Sequence, residues 1–179
     1  MSLSRDELLR AAADHLGRRP NATQDEIATA VGVSRATLHR HFSGRLALMT
    51  ALEELAIAEM REVLDAVRLT EGSATEALRR LVRACEPVSP YLALLYSQSQ
   101  ELDLDTTLEV WKEIDGEITE LFLRGQRTGE FRPELTAAWL TETFYSLIGG
   151  TAWSIRVGRA AAQDFDRLII GLLLNGVTT

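Results

Sequence analysis

A chain of 179 residues, 46% hydrophobic and 25% charged, can bury a sizeable core and makes one domain, or one domain with a small appendage. Its net charge of −7 and pI near 5.0 speak against a nucleic-acid binder until the charge is divided: residues 1 to 50 hold seven arginines against five acidic residues, a balance of +2, whereas residues 51 to 179 hold twelve basic against twenty-one acidic, a balance of −9. A lone cysteine, Cys85, excludes an intrachain disulfide, and neither the N-terminus nor the longest apolar run, Leu168 to Leu174, has the length of a signal-peptide core or a membrane span, so a soluble, cytoplasmic protein is expected.

In chain order, Ser4 and Glu7 form a capping box for a first helix whose apolar positions are Leu8, Leu9, Ala12 and Leu16, with Gly17 at its end. Thr23 and Glu26 form a second box, so a helix begins at Gln24 and turns Ile27 and Val31 to one face. Gly32 follows where the chain must reverse and wants positive φ. Ser34 caps the next helix, in which Leu38 and Phe42 point inward. Ala36, Thr37, His39 and Arg40 are left facing out, with Arg35 at the exposed N-terminal end. Helix, glycine turn and short helix make a helix-turn-helix suited to enter the DNA major groove.

Residues 23 to 45 closely resemble the DNA-binding half of the tetracycline-repressor (TetR) family of transcription regulators. Ile27-Ala28, Val31-Gly32-Val33-Ser34, Thr37-Leu38 and His41-Phe42 stand at the family's spacing, and Arg45 falls where the family usually has a phosphate-binding lysine. His39 replaces the usual tyrosine, and Leu46 replaces a commonly acidic residue. Arg35 and Arg40 have the reach and fork geometry for guanine or phosphate, and Thr37 can touch a thymine methyl or a phosphate. Thr23 and Arg45 are assigned to the backbone. With Ser34, Ala36 and His39 these complete the candidate DNA-binding set.

After the Ser43-Gly44 step a long helix from about Leu46 to Val67 bridges this tip to the remainder. Ser73 with Glu76 begins a helix running to about Cys85, Ser89-Pro90 begins another, and Thr106 with Glu109 begins one that reaches about Gly125. Gly129 and Pro133 mark a turn. Two helices remain, about Glu134 to Arg156 and about Ala162 to Asn175. The last is apolar around almost its full circumference, so it requires cover on both sides. The preceding one offers Ser146, Gly149 and Gly150 for close approach, flanked by Trp139 and Trp153. Either these are two central helices of a monomer, or, as the resemblance implies, Trp139, Ser146, Gly149, Gly150, Trp153, Phe165, Leu168, Ile169, Leu172 and Leu173 form a dimer interface in a four-helix bundle.

Ten of the eleven aromatic residues follow position 90. Tyr91, Tyr96, Trp111, Phe122, Phe144 and Tyr145, with Met60, Leu64 and Leu95, lie on the segments that line an effector cavity in TetR-like proteins, which implies a mostly apolar pocket with a few polar handles. Core packing is the alternative for each. The acidic series Asp103, Asp105, Glu109, Glu113, Asp115, Glu117 and Glu120 wraps around its helix and reads as a solvated face. His15, His39, His41 and Cys85 show neither metal-ligand spacing nor a nucleophile-base pair, so no catalytic residue, metal or cofactor is assigned.

The resemblance thus implies an all-α fold of about nine helices. A three-helix DNA-binding domain at residues 1–46 precedes a helical effector-binding and dimerisation domain at 47–179. The expected function is a ligand-responsive regulator, a repressor, with three partners: a palindromic double-stranded operator, a small-molecule effector and a second copy of the chain. The competing readings are a helical module acting through protein contacts, and an enzyme using the aromatic cavity.

Overall fold

A computed structural model describes residues 3–97 and 104–177, and all regular structure among them is helical. Among the described residues nine α-helices follow in order: α1 (Arg5–Arg18), α2 (Gln24–Ala30), α3 (Arg35–His41), α4 (Arg45–Val67), α5 (Ala74–Ala84), α6 (Ser89–Ser97), α7 (Leu104–Arg127), α8 (Ala137–Arg156) and, after a 3-10 turn at Ala162–Asp164, α9 (Phe165–Val177).

The helix starts are written in local chemistry. Ser4, Thr23 and Ser73 each accept the N–H of a glutamate three residues on, and Glu7, Glu26 and Glu76 reach back to the cap backbone, so α1, α2 and α5 all begin with a closed capping box. Ser34 accepts the Thr37 N–H at 3.1 Å to open α3, and Thr136 accepts the Trp139 N–H at 3.3 Å to open α8. Gly32, at φ +75°, makes the turn between α2 and α3 with no neighbour within 4 Å of where a Cβ would stand, so backbone conformation alone demands glycine.

Several boundaries differ from the sequence reading, among them the start of α9, which falls at Phe165 after the 3-10 turn. Helix α1 runs through Gly17 to Arg18. The glycine is instead a close approach, since a Cβ there would lie 1.9 Å from Nη1 of Arg156. Helix α7 is already formed at Leu104, which leaves Thr106 inside it and not at its cap. Pro133 and Glu134 belong to the turn before α8, which Thr136 caps.

Two apolar cores result. The N-terminal core joins Leu8, Leu9, Leu16, Ile27, Leu38 and Phe42 to Leu48, Leu52 and Ala56 of α4 and to Leu94 and Leu95 of α6. It therefore runs past residue 46 into the long helix and leaves no loop hinge between tip and body. The body core starts at Met60 of the same helix and gathers α5, α7, α8 and α9 around Leu78, Leu81, Ile118, Phe122, Phe144, Ile148 and Ile169. Tyr91 and Trp111 pack against both. Continuous α4 and this aromatic seam thus join the two cores without an intervening loop.

Candidate nucleic-acid interface and effector region

Leu38 and Phe42 are fully buried, and Arg5 lies over the Phe42 ring at 5.2 Å, so α3 is fixed by its inner face. Its outer face presents Arg35, Ala36, His39 and Arg40, all exposed, with Thr37 half-buried and Ser34 and Thr23 exposed at the two helix starts. Among the described residues His39 and Arg40 form no hydrogen bond or ion pair, which leaves both available to a duplex. Arg35 is already engaged: its guanidinium pairs with both carboxylate oxygens of Asp25 on α2, at 3.1 and 3.2 Å. Both partners are largely exposed, so the pair can open toward a phosphate or base at little cost.

Arg45 behaves differently from the rest of the set. Its guanidinium donates to the Pro20 carbonyl at 2.6 Å and the Ala22 carbonyl at 3.2 Å, tying the turn between α1 and α2 to the start of α4. The backbone role assigned to it from the sequence must share the side chain with this internal duty. Likewise the Thr23 hydroxyl bonds to Glu26 at 2.9 Å and the Thr37 hydroxyl to Ser34 at 2.9 Å, so both also serve their own helix starts.

In the body, Met60, Leu64, Phe122 and Phe144 are buried members of the core. Leu95 packs into the N-terminal core, because α6 lies against α1 and α4. The side chain of Tyr96 lies outside the described residues. The three half-buried aromatics, Tyr91, Trp111 and Tyr145, cluster where α4, α6, α7 and α8 meet, and each holds a polar partner that the sequence does not single out. Trp111 donates from Nε1 to Glu53 at 3.3 Å, and its ring meets Tyr145 edge-on with centroids 6.2 Å apart. The Tyr145 hydroxyl donates to Asp115 at 2.8 Å. Tyr91 accepts from Arg10, which also pairs with Glu59, so α1 is fastened to this cluster from the N-terminal side.

Asp115 departs from the solvated face expected for its series. Glu109, Glu113, Glu117 and Glu120 are exposed as expected, and Asp103 and the side chain of Asp105 lie outside the described residues. Asp115 instead turns inward. Burial raises its pKa above the ordinary carboxylate range against the opposing pull of the Tyr145 hydrogen bond, and burial with the Asp115 charge raises that of Tyr145. The only sequence signal for this is its place beside Ile114 and four residues after Trp111.

The expected dimer set divides in two. Phe165, Ile169 and Leu173 are buried in the chain's own core, and Gly149 is covered by Ala93 of α6, 3.4 Å from where a Cβ would stand. Trp139, Ser146, Gly150 and Trp153 of α8 and Leu168 and Leu172 of α9 remain exposed, Leu172 at 67% and Trp139 at 55%. Thus α9 is covered on one side only by this chain, and large apolar groups rim the other. Cys85 is fully buried and its thiol is pushed up to about 12 by desolvation, which keeps it protonated and unreactive.

A family profile described as "Bacterial regulatory proteins, tetR family" matches residues 8–52, which hold most of the N-terminal core. The HTH-type transcriptional regulator NfxB of Pseudomonas aeruginosa is 35% identical over 179 residues, covering 98% of this chain and 96% of that one. The HTH-type transcriptional repressor LfrR of Mycolicibacterium smegmatis is 28% identical over 177 residues, with 98% and 91% covered. The solved structure of LfrR in complex with proflavine matches at a TM-score of 0.76 and 27% identity, covering 98% of this chain and 96% of that chain.

Proposed function

Because the chain belongs to the tetR family of bacterial regulatory proteins and is a transcriptional regulator, we propose that it acts as a ligand-responsive repressor that binds a palindromic operator as a homodimer in the cytoplasm. The observation that carries this reading is the outer face of α3, where Arg35, Ala36, His39 and Arg40 stand exposed on a helix pinned from behind by Leu38 and Phe42. Two such helices, related by a two-fold axis near Trp139, Trp153, Leu168 and Leu172, would enter grooves about one helical turn or a multiple apart, ~34–36 Å for one turn. The basic tip and acidic body orient the approach to DNA.

The effector we assign is a planar aromatic cation. Trp111, Tyr91 and Tyr145 supply ring faces and edges, while Glu53 and the inward Asp115 supply negative charge beside them. LfrR, similar over its whole length, was solved with proflavine, a compound of this chemistry. A cation placed near Asp115 offsets the cost of burying its charge, so binding should weaken as pH falls through the raised Asp115 pKa.

Selection of duplex fragments by the purified protein, followed by titration at several salt concentrations, tests the DNA half. The expected outcome is a palindromic site whose affinity falls steeply with salt. Recovery of no shared sequence, or salt-independent binding, would remove the reading.

A further inference from the structure

We infer that the cleft where α1, α6 and α8 meet is a ligand site separate from the aromatic seam, and that it takes a small aromatic carboxylate whose charge pairs with Arg156. The cleft has a volume of about 220 Å³ and opens between Gly17 and Pro20 at the end of the N-terminal unit, Ala93 on α6, and Ser146, Gly149, Gly150, Trp153 and Arg156 on α8; Ser146, Gly150 and Trp153 also belong to the α8 face proposed for the dimer, so a second copy would border the site. That volume suits a single ring with one substituent and falls below the ~300–1,000 Å³ of sites for drug-sized ligands.

Arg156 gives the cleft its chemistry. The guanidinium lies across the backbone of Gly17, in space a Cβ would occupy, and is half-buried. Among the described residues it makes no hydrogen bond and no ion pair. The nearest carboxylate whose field it feels, Asp14, is held by Arg18 at 2.8 Å, and Arg18 itself repels it. Burial disfavours the Arg156 charge and Asp14 only partly restores it. A desolvated guanidinium fork without a carboxylate is complementary to one, because two parallel N–H···O bonds replace the water it has lost. The walls beside it are glycine backbone, the Ala93 methyl and the half-exposed face of Trp153, which accept a flat apolar ring, and Ser146 is the one hydroxyl among the lining side chains.

Such a ligand would touch α1 and α8 at once. It would therefore favour whichever arrangement of tip and body places Gly17 against Arg156, a second input to the same equilibrium.

Benzoate, its neutral isostere benzamide and the oversized anthracene-9-carboxylate form the test set, titrated into the full-length protein by calorimetry and by two-dimensional NMR. Benzoate should bind once per chain and perturb the signals of Gly17, Ala93, Gly149 and Trp153. Benzamide should bind at least about tenfold more weakly, and anthracene-9-carboxylate should leave those signals unmoved. Arg156→Met should abolish the preference for benzoate, Arg156→Lys should retain part of it, and Asp115→Asn should leave it intact, which separates this site from the effector region. Equal binding of benzoate and benzamide by the wild-type protein, perturbations centred elsewhere, no binding at all, or a folded Arg156→Met variant with undiminished preference would each overturn the proposal.

Discussion

Among the described residues of the N-terminal unit every large apolar side chain except Leu46 and Leu3 is drawn inward, and most of the residues proposed to meet DNA are short-range neighbours on one seven-residue helix. The body distributes its large side chains three ways, into a core around Phe122 and Phe144, onto the seam at Tyr91 and Trp111, and onto an outer face at Trp139, Trp153 and Leu172. The same kind of residue thus has three different duties there. A recognition surface specified by one helix can be read from spacing, whereas a cavity or an interface exists only once several helices have been placed against each other.

The sharpest way to break this contrast is to exchange a buried anchor for an exposed one. Phe42→Ala should cost about 3–5 kcal/mol and unfold the tip together with operator binding, as followed by urea denaturation. Leu172→Glu, 67% exposed in the chain, should leave the fold of the chain within about 0.5 kcal/mol yet convert the proposed dimer to a 19.8 kDa monomer by light scattering. If the two variants behaved alike, the division between core and outer face would be wrong.

Within the tip, Arg40 and Arg45 separate recognition from architecture. Arg40→Ala should weaken operator binding by ~1–3 kcal/mol without changing the denaturation midpoint. Arg45→Ala removes two hydrogen bonds to the carbonyls of Pro20 and Ala22 and should lower stability by about 1–2 kcal/mol. A smaller effect is expected at the turn between α2 and α3, where Gly32→Ala forces a Cβ onto φ +75° at a cost of about 1 kcal/mol, measurable by thermal unfolding.

The weakest predicted effect lies in the body. Glu130 is raised by partial burial but pulled down further by the N–H groups of Thr75 and Ala74 and the hydroxyl of Thr128, to about 2. Its folded pKa is thus below the ordinary glutamate value, so its contribution is complete above ~4.3 and is lost as pH falls toward about 2. Glu130→Gln should flatten the acid limb of the stability curve across that window, by about 1 kcal/mol or less.

How much is legible in the sequence follows the range of the interactions involved. Capping boxes span four residues, and the starts of α1, α2 and α5 fall where Ser4, Thr23 and Ser73 place them. Gly17 reads as a terminator in the sequence, yet α1 runs through it, and the side chain that lies against it, Arg156, is 139 positions away. The expected dimer band on α9 loses Phe165, Ile169 and Leu173 to the chain's own core for a similar reason: apolar content shows that a helix needs cover, not which neighbour supplies it. Asp115 is hidden among exposed acidic residues of the same helix, and only the packing of α8 against α7 brings Tyr145 to it.

The claim that joins the two regions is that a ligand at the seam of Tyr91, Trp111 and Tyr145 changes what the tip binds. Fluorescence anisotropy of a labelled, protein-selected duplex, titrated with and without saturating proflavine, tests it directly. The account predicts at least a tenfold loss of DNA affinity, about 1.4 kcal/mol of coupling, and an equal loss of dye affinity when the duplex is bound first. Dye that quenches tryptophan fluorescence yet leaves the DNA titration unchanged would contradict it.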